Sequence, residues 1–163
     1  EGAVMVNEAV TAGAGIWPFV NVAAAHDRIN NTGGSIGQCL PNALGASVAC
    51  PDRPVFAVSG DGSAMYQVQS LWTAAREELD ITVVIVANRG YQILHFELEA
   101  QGAPKPGRNA SAMFDIENPL LDWVALAAGH GVPGVRVDSE EGLAEALKTA
   151  SNTKGPFLIE AVI

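Results

Sequence analysis

A chain of 163 residues has the size of one domain, and with 48% apolar residues it has the material for a core of its own. Eighteen acidic residues against nine basic ones give a net charge of −9 with no basic cluster, which argues against nucleic acid and against an anionic membrane surface as partners. No stretch approaches the ~18 consecutive apolar residues of a membrane span, and the N-terminus lacks a signal-peptide charge pattern, so the expected setting is cytoplasmic.

Along the chain, apolar runs alternate with amphipathic stretches. A strand is expected near Ala3–Val6, a helix near Ala9–Val20 and a loop over His26–Gly34. A Gly/Ala-rich helix follows from about Gly37 to Ala49, with Pro41 tolerable only near its first turn. The apolar run Pro54–Ser59 reads as a strand, and Ala64, Val68, Leu71, Trp72, Ala75 and Leu79 then fall at helical spacing, predicting one helix from Ser63 to Leu79. Ile81–Ala87 is a β-branched run suited to a central strand buried on both faces. Tyr91–Leu98 reads as a short helix, and the polar, Gly/Pro-bearing Gln101–Asp115 as a long loop, suited to a lid or to facing a substrate. Asn118-Pro119 reads as a cap and first turn opening a helix to Ala128, with Gly131 beyond its end. Ser139 opens another, with Glu140 and Glu141 complementing its dipole and Lys148 near its far end, and Phe157–Ile163 reads as the strand that closes the sheet. This alternation predicts a three-layer α/β/α domain with a mostly parallel sheet.

Cys39 and Cys50 stand in an apolar segment with no metal-ligand spacing and read as buried small side chains, which fits a reduced cytosol. Two features suggest a piece of something larger. The chain opens directly on a strand without Met, and Ile36–Ala49 is apolar or small nearly all round, as a helix buried on every side would be.

Chemistry concentrates at Gly60-Asp61-Gly62, which ends the apolar strand, and at Asn88, which ends the next one. The pair offers a carboxylate and an amide oxygen at the carboxyl ends of parallel strands, where open α/β sheets bind ligands. Mg²⁺ takes oxygen ligands and commonly keeps phosphate oxygens among them, so the pair suggests a Mg²⁺ anchoring a diphosphate. In an acidic chain the positive charge for such a ligand must come from the metal and from helix N-termini. Gly62 and Ser63 open the following helix, where their N–H groups can face a phosphate, although Ser63 serves equally as a plain cap.

Leu44-Gly45, Pro51, Phe56 and Val58 before the triplet, and Asn88 after it, stand at spacings that resemble the signature of thiamine diphosphate (ThDP) enzymes. From Thr32-Gly33-Gly34-Ser35-Ile36-Gly37 through Asn88-Arg89-Gly90-Tyr91, the chain looks like the diphosphate-binding, C-terminal domain of the acetolactate synthase and benzoylformate decarboxylase group. The resemblance implies ThDP and Mg²⁺ as cofactors, with Asp61, Asn88 and the Gly90 carbonyl as metal ligands. Thr11, Gly62, Ser63 and Tyr91 would meet the cofactor, Ile36 would wedge between its two rings, and the Gly34 carbonyl would accept from its pyrimidine amino group. The group often has two consecutive Asn where this chain has Ala87-Asn88, and the ligand matches the second.

Of the three histidines, His130 at a helix end and His26 beside Asp27 and Arg28 read as structural or solvated. His95 lies on a segment that lines the substrate pocket in relatives and is the acid-base candidate. The resemblance further implies a pyrimidine-binding domain, on the same or a neighbouring subunit, carrying the activating Glu, a middle domain, and a homodimer or homotetramer when full length. None of this lies within the 163 residues, so the chain alone is expected to be inactive. The implied reaction is cleavage or formation of a carbon–carbon bond at a small 2-oxo acid through a ThDP enamine, acetolactate synthase-like. Catalytic acetolactate synthases carry an acceptor-shaping Trp nine positions after the metal-binding Asn, and this chain has Glu97 there, which leaves benzoylformate decarboxylase-like chemistry as the near alternative. A non-catalytic module for a phosphate ligand is the alternative from a different class.

Overall fold

The computed structural model describes residues 1–102 and 105–163. Six strands, β1 (Val4–Glu8), β2 (Asp27–Asn30), β3 (Val55–Gly60), β4 (Ile81–Ala87), β5 (Gly134–Val137) and β6 (Phe157–Val162), form one sheet in the order β2-β1-β3-β4-β6-β5. All five pairings are parallel, from Val4 opposite Asp27 at one edge to Gly134 opposite Leu158 at the other. The three-layer α/β class read from the alternation is the class observed.

Helices cover both faces. Leu40 and Ala43 of α3 (Cys39–Ala49), Leu71 of α5 (Ser70–Arg76) and Trp123 of α8 (Trp123–Gly129) join Val6, Val55, Val83, Ile85 and Leu158 in the larger core. On the other face Ala146 and Ala150 of α9 (Glu140–Asn152) pack with Val58, Val84 and Ile159. Ser139 caps α9 as its sequence suggests, its Oγ accepting from the Gly142 amide at 3.2 Å. β4 is buried on both faces, as expected of a central β-branched strand.

Several boundaries differ from the sequence reading. The stretch Ala9–Val20 is not one helix: α1 (Val10–Gly13), a 3₁₀ turn (Ala14–Ile16) and α2 (Trp17–Val20) follow one another, and Val10 holds φ at 41°. Within the expected loop His26–Gly34, Asp27–Asn30 forms the edge strand β2. The expected helix Ser63–Leu79 divides into a single turn, α4 (Asp61–Ala64), a run of i to i+3 turns, and α5. Gln67 lies in that run and is drawn inward to only 1% exposure. The helical phase is interrupted where a polar side chain enters the core.

Gln92–Ala100 forms α6, and the long loop contains α7 (Arg108–Phe114), while Ala103 and Pro104 within it lie outside the described residues. Asn118-Pro119 does not open a helix: Glu117 bridges Leu120 in a turn, and α8 begins only at Trp123, where Asp122 Oδ1 accepts from the Ala125 amide at 2.9 Å. The β5 strand is absent from the sequence reading, so β6 lies inside the sheet rather than closing it. Its Glu160 is buried because Arg136 of β5 reaches it at 3.0 Å. Within this chain α3 leaves Pro41, Gly45, Val48 and Ala49 as an outward stripe, with Val48 66% exposed.

Candidate functional site

From β1 the chain runs to β2 on one side and to β3 on the other, so the β1/β3 crevice is the point where strand order reverses. A cleft of about 430 Å³ opens there, at the carboxyl ends of β1, β3 and β4. Asp61, Asn88 and Gly90 stand on one part of its wall, with Gly62, Ser63 and Tyr91 beside them. Thr11, Gly34 and Ile36 line it from the β1 side. Four segments that are far apart in sequence thus converge on one volume.

Asp61 follows directly on β3 and is only 3% exposed. Its Oδ1 accepts from the Gly62 amide at 2.8 Å, and its Oδ2 from the Arg89 amide at 2.7 Å. Burial raises its pKa above the ordinary carboxylate value, and the two amide bonds offset only part of that effect. Among the described residues no Lys, Arg or His pairs with it. Desolvating a carboxylate costs several kcal/mol, whereas a charged hydrogen bond returns about 1.5–3, so a cation at this wall would complete the balance. Each carboxylate oxygen keeps lone-pair capacity for one.

Arg89 holds φ at 60°, which turns the chain after β4 so that its amide faces Asp61. Asn88 Oδ1 accepts from the Gly90 amide at 3.2 Å, and the Tyr91 amide donates to Phe114 O at 2.7 Å, which ties this turn to α7. Gly62 must be glycine for this packing, since a Cβ there would lie 2.6 Å from Tyr91 Cε1. Burial, with Tyr66 and Asp61 adding to it, raises the Tyr91 phenol and keeps it a neutral donor. Ser63 is inside the single turn of α4, whose cap position is Gly60, so the plain-cap reading of Ser63 falls away.

Ile36 is 39% exposed at the lip of the cleft, so it is not part of the core. His95 does not line the cleft. Its ring meets Phe114 edge-on at 5.0 Å, and Nε2 stands 4.0 Å from Asp115 Oδ1. His130 Nδ1 donates to Leu126 O at 2.7 Å at the end of α8, a structural placement, and His26 Nδ1 likewise meets Ala24 O at 2.7 Å. Of the two thiols, Cys39 is fully buried and Cys50 only half-buried.

Sequence reasoning passed over Glu8 as a functional side chain, although it is 1% exposed and binds the start of α3. The period-2 alternation of β1 puts Glu8 on the inward face with Val4 and Val6, which is the signal that could have found it. Val10, Asn31, Gln92 and Ile93 also line the cleft without having been marked in the sequence.

The donor set suits a hard cation held jointly with a ligand's oxygens: one buried carboxylate, one amide oxygen and one backbone carbonyl. Among the described residues no cluster of three or more His, Cys, Asp or Glu side chains could hold a metal alone. Ligand phosphate and water would supply the remaining oxygens.

The sequence and the fold match a known class. The profile described as "Thiamine pyrophosphate enzyme, C-terminal TPP binding domain" covers residues 12–161, and the chain belongs to that family. It is 46% identical, over all of its length, to the Mycobacterium tuberculosis protein named "Putative acetolactate synthase large subunit IlvX", and 32% identical over 97% of its length to a Pseudomonas aeruginosa benzoylformate decarboxylase. Among solved structures, the Rhodococcus jostii ThDP-dependent 4-hydroxybenzoylformate decarboxylase superposes with a TM-score of 0.82 at 32% identity, over 98% of this chain and 29% of that one. The chain spans 32% and 29% of the lengths of the two curated relatives. No helix among the described residues is long and apolar enough to cross a membrane.

Proposed function

We propose that this chain holds the diphosphate end of ThDP through Mg²⁺ in a 2-oxo-acid carboligase or decarboxylase of acetolactate synthase-like type. The observation that carries this reading is the convergence of Asp61, Asn88, Gly90 and the Gly34–Ile36 loop on one cleft at the strand-order reversal. Asp61, the Asn88 amide oxygen and the Gly90 carbonyl would hold the metal. Thr11, Gly62, Ser63 and Tyr91 would hold the cofactor, with Gly34 and Ile36 meeting its rings. When bound, ThDP supplies the electron sink for breaking or making a carbon–carbon bond beside the 2-oxo group of a small substrate. The protein's share is to place that group and exclude water. His95, the acid-base candidate, is turned toward Phe114 and Asp115 and does not line the cleft.

A benzoylformate decarboxylase-like activity is the second reading, favoured by Glu97. This side chain is exposed on α6, with its Oε1 accepting from Gln101 Nε2 at 2.7 Å, and it does not line the cleft. A pyrimidine-binding domain, on the same or a neighbouring subunit of a homo-oligomer, is the proposed partner, and the outward apolar stripe Pro41, Gly45, Val48 and Ala49 supports a docking face. Two free cysteines fit a cytoplasmic setting.

Titration calorimetry of the full-length protein with ThDP, with Mg²⁺ and with chelator, tests the cofactor reading. Saturable binding that requires Mg²⁺ supports it, and no binding refutes it. Turnover of pyruvate against benzoylformate by the same protein then separates the two activities.

A further inference from the structure

We propose that Glu8, together with Gln67, is a positioning residue that sets the loop Asn31–Gly37 against the ligand in the cleft. The inference rests on the ThDP reading above. Glu8 Oε2 accepts from the Gln38 and Cys39 amides at 2.7 and 2.9 Å, and Oε1 from the Gly37 amide at 3.1 Å. Gln67 Nε2 donates to Glu8 Oε1 at 2.8 Å, and Gln67 Oε1 accepts from the Leu40 amide at 2.8 Å. Ser59 Oγ lies 3.4 Å from Glu8 Oε1. The Glu8 and Gln67 side chains occupy every amide from Gly37 through Leu40, Pro41 has no N–H, and the Asn42 amide begins the helical ladder on Gln38 O.

Two consequences follow for the site. The positive end of α3 is neutralised by a carboxylate of the protein itself and is not free for a phosphate. The loop is also bracketed by the last two residues of β1: the Asn31 amide donates to Asn7 O at 3.2 Å, and the Gly37 amide to Glu8. Between those anchors Thr32, Gly33, Gly34, Ser35 and Ile36 are all exposed, and the 3.4 Å bond from the Ser35 amide to Thr32 O is internal to the loop. Gly33, Gly34 and Gly37 all have positive φ, so this path suits glycine, and its far end is located by Glu8. Glu8 therefore acts on a ligand through the loop, whereas Asp61 and Asn88 act on it directly.

Glu8→Gln tests this in the full-length protein. The variant keeps the shape but has one acceptor oxygen where three backbone amides and Gln67 converge. Calorimetry would compare ThDP with inorganic pyrophosphate, both with Mg²⁺. Pyrophosphate has no rings to meet the loop. The expected result is at least a ~10-fold loss of ThDP affinity with pyrophosphate affinity within about twofold of wild type. Equal losses for both ligands, or no loss for either, would overturn the proposal. Should Glu8→Gln fail to fold, Gln67→Met removes the bonds to Glu8 and to the Leu40 amide but leaves the three amides on Glu8, and the same split at smaller size is expected and its absence is equally decisive. Wild-type protein that binds pyrophosphate but not ThDP, or neither, would overturn the ThDP reading and this inference with it, a result distinct from loss in the variants alone.

Discussion

The Arg89 amide donates to Asp61 Oδ2 at 2.7 Å across 28 positions of sequence, so the turn that follows β4 is fastened to the carboxylate that follows β3. The same carboxylate thereby fixes where Asn88 and Gly90 stand. Replacing Asp61 by Ala removes both the proposed metal ligand and this fastening. ThDP affinity in the full-length protein, measured with Mg²⁺, is expected to fall at least ~100-fold, about 2.7 kcal/mol. Mg²⁺-dependent binding that survives unchanged would remove Asp61 from the metal site.

Gly62→Ala brings a methyl group to 2.6 Å from the Tyr91 ring, which must swing aside. Overpacking of this kind costs about 1–3 kcal/mol. Tyr91→Ala in the same chain vacates the space, so a double-mutant cycle on melting and ThDP affinity should show the Gly62 penalty largely vanish in the Tyr91→Ala background. Additive effects would mean that the ring does not set the glycine requirement.

Ile36 at the cleft lip has little core to lose, so Ile36→Ala should cost under ~1 kcal/mol of stability, less than the 2–5 kcal/mol of a buried large-to-small change. If it meets the cofactor rings, kcat at saturating ThDP should still drop. Comparing kcat and Tm for Ile36→Ala, Ile36→Leu and the control Val68→Ala decides the matter. Activity that merely tracks Tm across the three would end the wedge reading.

Cys39 is fully enclosed, and burial, with Glu8 adding to it, holds its thiol well above the ordinary value of 9.0. A raised thiol pKa favours the protonated form in the folded state, so this group's contribution is complete below pH 9 and is lost as pH rises beyond it. At pH 8.5, peptide-level mass spectrometry after alkylation should find Cys39 unmodified until denaturant unfolds the protein. Rapid native labelling would contradict its place between Val6 and Val58.

The fold class and two residues of the cleft wall, Asp61 and Asn88, were legible in the sequence because each rests on a local pattern. β-branched runs such as Ile81–Ala87 specify buried strands, and Asp61 and Asn88 fall directly after such runs, where a parallel sheet places ligands. The tertiary structure alone decided the rest. Asp27–Asn30 becomes a strand only because β1 offers it a free edge, and Gly134–Val137 because β6 does. The helix expected from Ser63 to Leu79 breaks because Gln67 is drawn to a carboxylate 59 positions away, a partner that no window of sequence contains. Glu8 stayed inconspicuous for the same reason. A buried polar side chain is tolerated only where its partners are, and for Glu8 those partners, the amides of Gly37, Gln38 and Cys39, are brought to it by the crossover from β1 to α3.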